Sequence, residues 1–160
     1  MVEVSVIGIT QDRYSGLPII ILGNEQERFA IPIWVGHWEA ELLETELLGA
    51  VLGAVPPRPF PYDLIREIVS AFGGEVERVI INDFDKDIYF AVIEVKRPDG
   101  EVLRIDSRPS DAINLAVRVN APIFVKREVI EKASVIPLDE CEGDNCREQW
   151  EQLIRELFED

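Results

Sequence analysis

Several residue types that carry common enzyme chemistry are scarce in this sequence. Its 160 residues include one His, one Met and two Cys. The two cysteines, Cys141 and Cys146, have no second pair to complete a usual zinc site. A P-loop, a Gly-rich dinucleotide fingerprint and a nucleophile elbow are also missing. These absences exclude the enzyme classes that such motifs define.

Long apolar runs are missing as well. The longest, "LLGAVLGAV", is far shorter than the roughly 20 residues of a membrane helix, and prolines follow it. The start, "MVEVSVIGI", is typical of a strand and lacks the basic segment of a secretory signal. We therefore expect no membrane span and a cytoplasmic location. In that compartment, two free thiols at Cys141 and Cys146 are favoured over a local disulfide.

Basic residues are outnumbered by acidic ones, 16 to 31, which gives a net charge of −15. Residues 127–160 carry −7 of this charge and residues 1–126 carry −8, so the C-terminal end is the more strongly acidic part. Such a surface repels phosphate backbones unless a divalent metal or local arginines offset the repulsion. The single Met and the excess of Arg over Lys, 12 to 4, favour a thermophilic source.

Hydrophobic periodicity predicts an α+β fold with a mixed, largely antiparallel sheet of about six strands and helices packed on it. Three strand patterns open the chain, and a helix is expected from about His37 to Leu52. The turn in "NDFDKD" is interpreted as a hairpin, since Ile88 stands where a calcium-binding EF-hand loop requires Gly. We predict one domain over residues 1–133, followed by an acidic C-terminal tail, residues 134–160, with a short amphipathic helix.

The most crowded stretch is "RIDSRPSDAINLAVR", residues 104–118. Pro109 disfavours helical geometry at the residue before it, and Ser110 is predicted to cap the helix that follows, with Asp111 in its first turn. Capping leaves Asp106 and Arg108 unexplained. They could hold a divalent metal and a phosphate, or form an arginine–carboxylate lock between strand and helix. The residues alone leave both interpretations open.

Other candidates lie outside this stretch. Glu39 falls in the first turn of the predicted helix at His37, and three carboxylates, Glu39, Asp106 and Asp111, would suit Mg²⁺ or Mn²⁺. The proline-rich segment "PPRPFPYD" contributes Arg58 and Tyr62.

Several stretches together resemble the bifunctional nuclease family. The resemblance covers roughly residues 5 to 130, and its most specific parts are "RPSDAINLAVR", "PRPFPYDL" and "GHWEA". It implies a bifunctional-nuclease-like domain over residues 1–133, nuclease activity on DNA and RNA, and a homodimer. The chain departs from the family at Pro61–Tyr62, where a Thr–His pair is common.

Our first hypothesis is a metal-dependent nuclease that hydrolyses phosphodiester bonds of RNA and/or DNA. Mg²⁺ or Mn²⁺ would bind the three carboxylates, and arginines would stabilise charge on the phosphate. The predicted catalytic residues are Glu39, Asp106, Arg108 and Asp111. The predicted substrate-binding residues are Arg58, Tyr62, Ser110 and Arg118. The alternatives are a non-enzymatic dimeric binding or assembly domain, in which the Asp/Arg cluster is a structural lock, and a regulator whose acidic tail mimics nucleic acid.

Overall fold

The computed structural model describes residues 1–138 and 145–159. These residues form eight strands: β1 (Val2–Gln11), β2 (Pro18–Asn24), β3 (Phe29–Trp34), β4 (Glu75–Asp85), β5 (Ile88–Lys96), β6 (Val102–Ser107), β7 (Ile123–Val125) and β8 (Ile136–Pro137). They also form five helices: α1 (His37–Leu52), α2 (Pro61–Ala71), α3 (Pro109–Val119), α4 (Arg127–Lys132) and α5 (Cys146–Phe158).

All eight strands join one sheet in the order β6-β5-β4-β7-β1-β2-β3-β8. The β4–β7 pair is parallel and the other pairs are antiparallel. The α+β fold and the mixed, largely antiparallel sheet are therefore confirmed. The sheet has more strands than the predicted six or so. The sequence predicts a short strand at β7 but not at β8, whose two residues show no two-residue period.

Both faces of the sheet are covered around β2, which explains its unbroken apolar sequence. Successive side chains of a strand point to opposite faces. Ile20 and Leu22 accordingly join the main core beneath the helices, whereas Ile19 and Ile21 join a second cluster with Trp150 and Ile154 of α5. The amphipathic C-terminal helix is thus confirmed.

The helix starts next to the predicted site follow from proline geometry. Pro61 and Pro109 occupy the first turns of α2 and α3, where a missing N–H costs nothing. Asp63 accepts a hydrogen bond from the Phe60 N–H at 2.8 Å and so caps α2. The prediction that Ser110 caps α3 is wrong: Arg108 is the N-cap residue, and Ser110 lies inside the first turn.

Part of the predicted C-terminal tail belongs to the sheet, since Phe29 of β3 pairs with Pro137 of β8. The division at residue 133 stays a prediction. Cys146 is disulfide-bonded, so the free-thiol prediction is wrong for this residue, while Cys141 lies outside the described residues. Within residues 1–138 and 145–159, no helix is both long and apolar enough to cross a membrane.

The β4–β5 hairpin, predicted from the sequence, offers a stability test. Lys86 and Asp87 form its two-residue turn with φ angles of 49° and 64°, a left-handed conformation that Asn and Gly adopt more easily. The double variant Lys86→Asn/Asp87→Gly should raise the free energy of unfolding by about 1 kcal/mol. Urea unfolding measures this. Gly100→Ala, at a φ of 88° in another turn, should lower stability instead, and a less stable hairpin variant would contradict the turn assignment.

Candidate active site

Arg108 lies at the centre of a side-chain cluster that joins the starts of α1, α2 and α3. Its Nε donates to Oδ2 of Asp111 at 2.8 Å, and its Nη2 donates to Oδ1 of Asp111 at 3.0 Å and to Oε1 of Glu39 at 2.8 Å. The Tyr62 hydroxyl donates to Oδ1 of Asp111 at 2.6 Å. We call these four side chains the Arg108 clamp. Arg108 is 64% exposed, so the clamp opens to solvent.

The protonation states in the clamp follow from these contacts. Burial raises the pKa of Asp111, but hydrogen bonds from Arg108 and Tyr62 outweigh it, so the pKa lies below its ordinary value. Burial and the Asp111 carboxylate raise the pKa of Tyr62 well above its usual range. Hydrogen bonds to Asp111 and Glu39 raise the pKa of Arg108 further. At neutral pH the clamp therefore contains an ionised Asp111, a neutral Tyr62 and a charged Arg108.

Glu39 has little room to move within the clamp. It lies in the first turn of α1, where the helix dipole favours a carboxylate. A Cβ at Gly36, the N-cap residue of α1, would collide with this carboxylate. The φ of Gly36 is −71°, so the position requires Gly for space and not for its backbone angle. Gly36 therefore makes room for the carboxylate that Arg108 binds.

A second arginine supports the clamp from inside. The Arg118 side chain is 0% exposed and donates to the Leu42 carbonyl of α1 at 3.1 Å and to the Asn114 carbonyl of α3 at 3.0 Å. Its Nε lies 3.4 Å from Asp63 of α2, and the Tyr62 ring lies against the guanidinium at 5.2 Å. Arg118 therefore acts in this structure by positioning Tyr62. Its predicted contact with substrate stays a prediction that would require these helices to separate.

Asp106 lies on the other face of the sheet. Its strand neighbours Ile105 and Ser107 pair with Ile93 and Ala91, which belong to the core beneath the helices. Because side chains alternate along a strand, Asp106 points away from that core and from the Arg108 clamp.

The predicted metal ligands do not come together as a group. Within residues 1–138 and 145–159, no three His, Cys, Asp or Glu side chains are placed to hold a metal ion. Glu39 and Asp111 are both bound to Arg108, and Asp106 is apart from them. The residues therefore do not fit the three-carboxylate site expected from the sequence, and we build no chemical step on a metal.

A cavity of about 380 Å³ opens beside Arg108, between β3, the β4–β5 turn and the start of α3. Its walls include Trp34, Ile88 and Tyr89. Trp34 is 44% exposed, and its indole N–H donates to Asp12 at 2.8 Å, which holds the ring in place. A cavity lined by an exposed guanidinium and a fixed aromatic ring is suited to a ligand that has both a phosphate and a flat ring.

Two other predicted substrate contacts have different surroundings. Arg58 is exposed in the loop before α2 and lines a separate cavity of about 470 Å³ with Glu46 and Arg66. Ser110 lines the cavity beside Arg108 but is 6% exposed, and its carbonyl accepts a hydrogen bond from Asn114. The roles of Arg58 and Ser110 in substrate binding stay predictions.

Comparisons with known proteins agree with the resemblance seen in the sequence. The family model of the bifunctional nuclease domain matches residues 20–137. The chain belongs to the bifunctional nuclease domain family. The matched range includes the whole Arg108 clamp and the Arg118 contacts behind it.

Individual relatives support this assignment. An uncharacterized protein of Mycobacterium tuberculosis (strain H37Rv) is 32% identical over 144 residues, which cover 90% of this chain and 83% of that protein. Bifunctional nuclease 1 of Arabidopsis thaliana is 32% identical over 71% of this chain and 35% of its own length. Bifunctional nuclease 2 of Oryza sativa subsp. japonica is 34% identical over 70% of this chain and 34% of its own length. The chain thus spans about a third of these plant relatives.

Sequence reasoning missed two parts of this family member's candidate site. Trp34 carried no signal beyond being an aromatic residue at the end of a strand. The contact between Asp63 and Arg118 joins residues far apart in the chain, so no local pattern indicates it. The spacing of Asp111, Asn114 and Arg118 on one helix face was a usable signal, because all three make contacts to α1 or α2.

The ionised state of Asp111 predicts a pH-dependent effect on stability. A carboxyl group whose pKa is lowered by folding stabilises the fold above its unfolded pKa, ordinarily 3.8, and this contribution is lost as the pH falls through the folded pKa. Asp111→Asn should therefore be less stable than the parent at pH 7, and the difference should shrink below about pH 3.8. Urea unfolding across this pH range measures it. Asp85→Asn, at the exposed end of β4, is the control, and a difference independent of pH would contradict the assignment.

Proposed function

We propose that this chain is a nuclease that hydrolyses phosphodiester bonds of RNA and/or DNA, with Arg108 binding the phosphate. The observation that carries the proposal is the exposed Arg108, held in a fixed orientation by two carboxylates beside a cavity with aromatic walls. Membership of the bifunctional nuclease domain family supports the reaction class.

The geometry of Arg108 suits a phosphate ligand. Its Nε and Nη2 are engaged by Asp111 and Glu39, which leaves Nη1 without a hydrogen bond among the described residues. An arginine with free N–H groups and a restrained orientation stabilises negative charge that develops on phosphoryl oxygens. The two carboxylates also give the clamp a net negative charge, so phosphate affinity should depend strongly on salt and on cations.

Glu39 is our proposed acceptor for the proton of the attacking water. Its Oε1 accepts from Arg108, while Oε2 has no hydrogen bond among the described residues. Asp111 is a weaker candidate, because its pKa is lowered and both of its oxygens already accept hydrogen bonds. Tyr62 keeps its proton at neutral pH and orients Asp111. A carboxylate within hydrogen-bond reach of the attacking water can act as a general base.

The cavity beside Arg108 favours single-stranded substrates in this proposal. A nucleobase can stack on Trp34 only when it is not paired within a duplex. Arg108 and Trp34 line one cavity, so in this proposal a nucleotide presents its phosphate to Arg108 and its base to Trp34.

Other expectations remain part of the proposal. Dependence on Mg²⁺ or Mn²⁺, a catalytic role for Asp106, a homodimer and a cytoplasmic location are predictions from the sequence and the resemblance. The arrangement of the clamp does not support the first two, because Glu39 and Asp111 bind Arg108 and Asp106 points to the other face of the sheet. The alternative function is an assembly domain in which Arg108 is only a structural lock. This alternative is supported by the ion pair between Arg108 and Glu39, which links the start of α3 to α1.

Replacing Arg108 tests the proposal directly. Arg108→Ala should lower kcat/KM on single-stranded RNA and DNA by about 100-fold or more, since it removes the phosphate-stabilising group. The assay should include Mg²⁺, Mn²⁺ and EDTA arms. Arg127→Ala is a matched control, because Arg127 is similarly exposed and binds Glu27 through two hydrogen bonds. A folded Arg108→Ala protein as active as the Arg127→Ala protein would leave the lock interpretation standing.

The two exposed tryptophans test the stacking contact. Trp34 lines the cavity beside Arg108, whereas Trp38 is 59% exposed in the first turn of α1 and is not part of its walls. Trp34→Leu should weaken binding of a labelled single-stranded oligonucleotide about 10-fold or more, since a stacked base contributes about 1–3 kcal/mol, and Trp38→Leu should change it little. Fluorescence anisotropy measures both affinities. Equal losses in the two variants would refute a specific role for the cavity.

A further inference from the structure

β6 is one of the two edge strands of the described sheet, and the other, β8, has only two residues. The sequence of β6 is Val102-Leu-Arg-Ile-Asp-Ser107, with two opposite charges flanking Ile105. Edge strands present unpaired N–H and C=O groups that pair readily with another strand. Every residue from Val102 to Asp106 is exposed.

The two faces of β6 differ in chemistry. Leu103 and Ile105 pair with Val95 and Ile93 of the core, so they lie on the helix-bearing face, yet they are 40% and 47% exposed. Arg104 and Asp106 lie on the opposite face. Arg104 donates to Glu94 at 3.1 Å, while Asp106 has no hydrogen bond or ion pair with any described residue.

Helix α2 also has exposed apolar side chains. A Cβ at Gly74 would lie 3.1 Å from Val69 of α2 and 3.4 Å from Val95 of β5, so Gly74 lies between the end of α2 and β5. Four large apolar side chains of α2 are exposed, Leu64, Ile65, Ile68 and Phe72. Apolar side chains are therefore exposed both on β6 and on α2, which packs on the helix-bearing side of the sheet.

We propose that β6 pairs antiparallel with β6 of a second copy of this chain, centred on Ile105, and joins two sheets into one. This inference names the interface of the homodimer that is part of the proposed function. It rests on the homodimer and does not depend on the nuclease reaction. The partner is a second copy because the charges on β6 are complementary to themselves.

The register follows from symmetry. A two-fold axis perpendicular to the sheet keeps both helix layers on the same face. Residues that lie opposite each other must point to the same face of the sheet, so the axis passes through a residue position and not between two residues. Centred on Ile105, Arg104 of each copy lies opposite Asp106 of the other, which forms two ion pairs. If the axis passed through Arg104 or Asp106, like charges would lie opposite each other. If it passed through Leu103, Arg104 would lie opposite Val102. Ile105 is therefore the favoured centre.

The same axis places Ile105 opposite Ile105 of the second copy and Leu103 opposite Ser107. Both helix layers then lie on one side of the joined sheet. Asp106 then has a structural partner, which explains the residue that helix capping left unassigned.

Charge reversal tests the pairing in solution. Wild-type protein should sediment as a dimer without nucleic acid, and Asp106→Arg should weaken the dimer about 10-fold or more, since two ion pairs become two repulsions. Arg104→Asp alone should also weaken it, and mixing the two folded variants should restore a dimer, because each chain then offers the charge that the other needs. A monomeric wild type, or a mixture no better associated than its components, would overturn the proposal. Circular dichroism checks that each variant is folded.

Cysteine crosslinking tests the register independently. In the proposed pairing two copies of residue 105 lie about 4.5–5.5 Å apart between Cα atoms, within the range of a disulfide. Ile105→Cys should therefore form a covalent dimer on mild oxidation. Leu103→Cys is the matched control, because its two copies would lie about 14 Å apart. Crosslinking at 103 but not at 105 would reject this register. Neither test measures nuclease activity. A dimer without nuclease activity would contradict the proposed nuclease function but not the interface, and a monomer with nuclease activity would contradict the interface but not the nuclease function.

Discussion

The buried guanidinium of Arg118 is the contact on which the candidate site depends. One charged group binds the Leu42 carbonyl of α1, the Asn114 carbonyl of α3 and the Asp63 carboxylate of α2, and the Tyr62 ring packs against it. Removing one member of a buried ion pair usually costs about 3–5 kcal/mol, because the remaining charge is left without compensation. The three helices are therefore held in one arrangement, and the residues at their starts meet as a consequence.

Two arginines on the same helix have different roles because they differ in solvent access. Both Arg118 and Arg108 bind carboxylates from other helices, but Arg118 is fully enclosed whereas Arg108 is mostly exposed. The enclosed arginine cannot meet a substrate without separation of the helices, so its contribution is to position Tyr62. The exposed arginine is oriented by Glu39 and Asp111 and still offers N–H groups to solvent. Phosphate chemistry in this fold is therefore proposed for the outer arginine.

Local patterns predicted much of the fold. The three opening strands, the helix from His37 to Leu52, the hairpin turn near Lys86 and the C-terminal amphipathic helix all agree with the structure. Each depends on neighbouring residues, through alternation, helical spacing or turn geometry. The cap of α3 was misassigned at Ser110 because both Ser110 and Arg108 can precede a helix. Pro109 decides between them, since it fits the first helical position.

The sequence by itself determined the fold class, the family and the crowded stretch from Asp106 to Asp111, because these depend on local pattern and on motifs. Only the tertiary structure decided which of those side chains meet. Arg108 binds Glu39, 69 residues away, and Asp111 binds Tyr62, 49 residues away, while Asp106 points to the opposite face of the sheet. Helix packing and strand register set these outcomes, and residues that are neighbours in the chain can lie on opposite faces of a sheet.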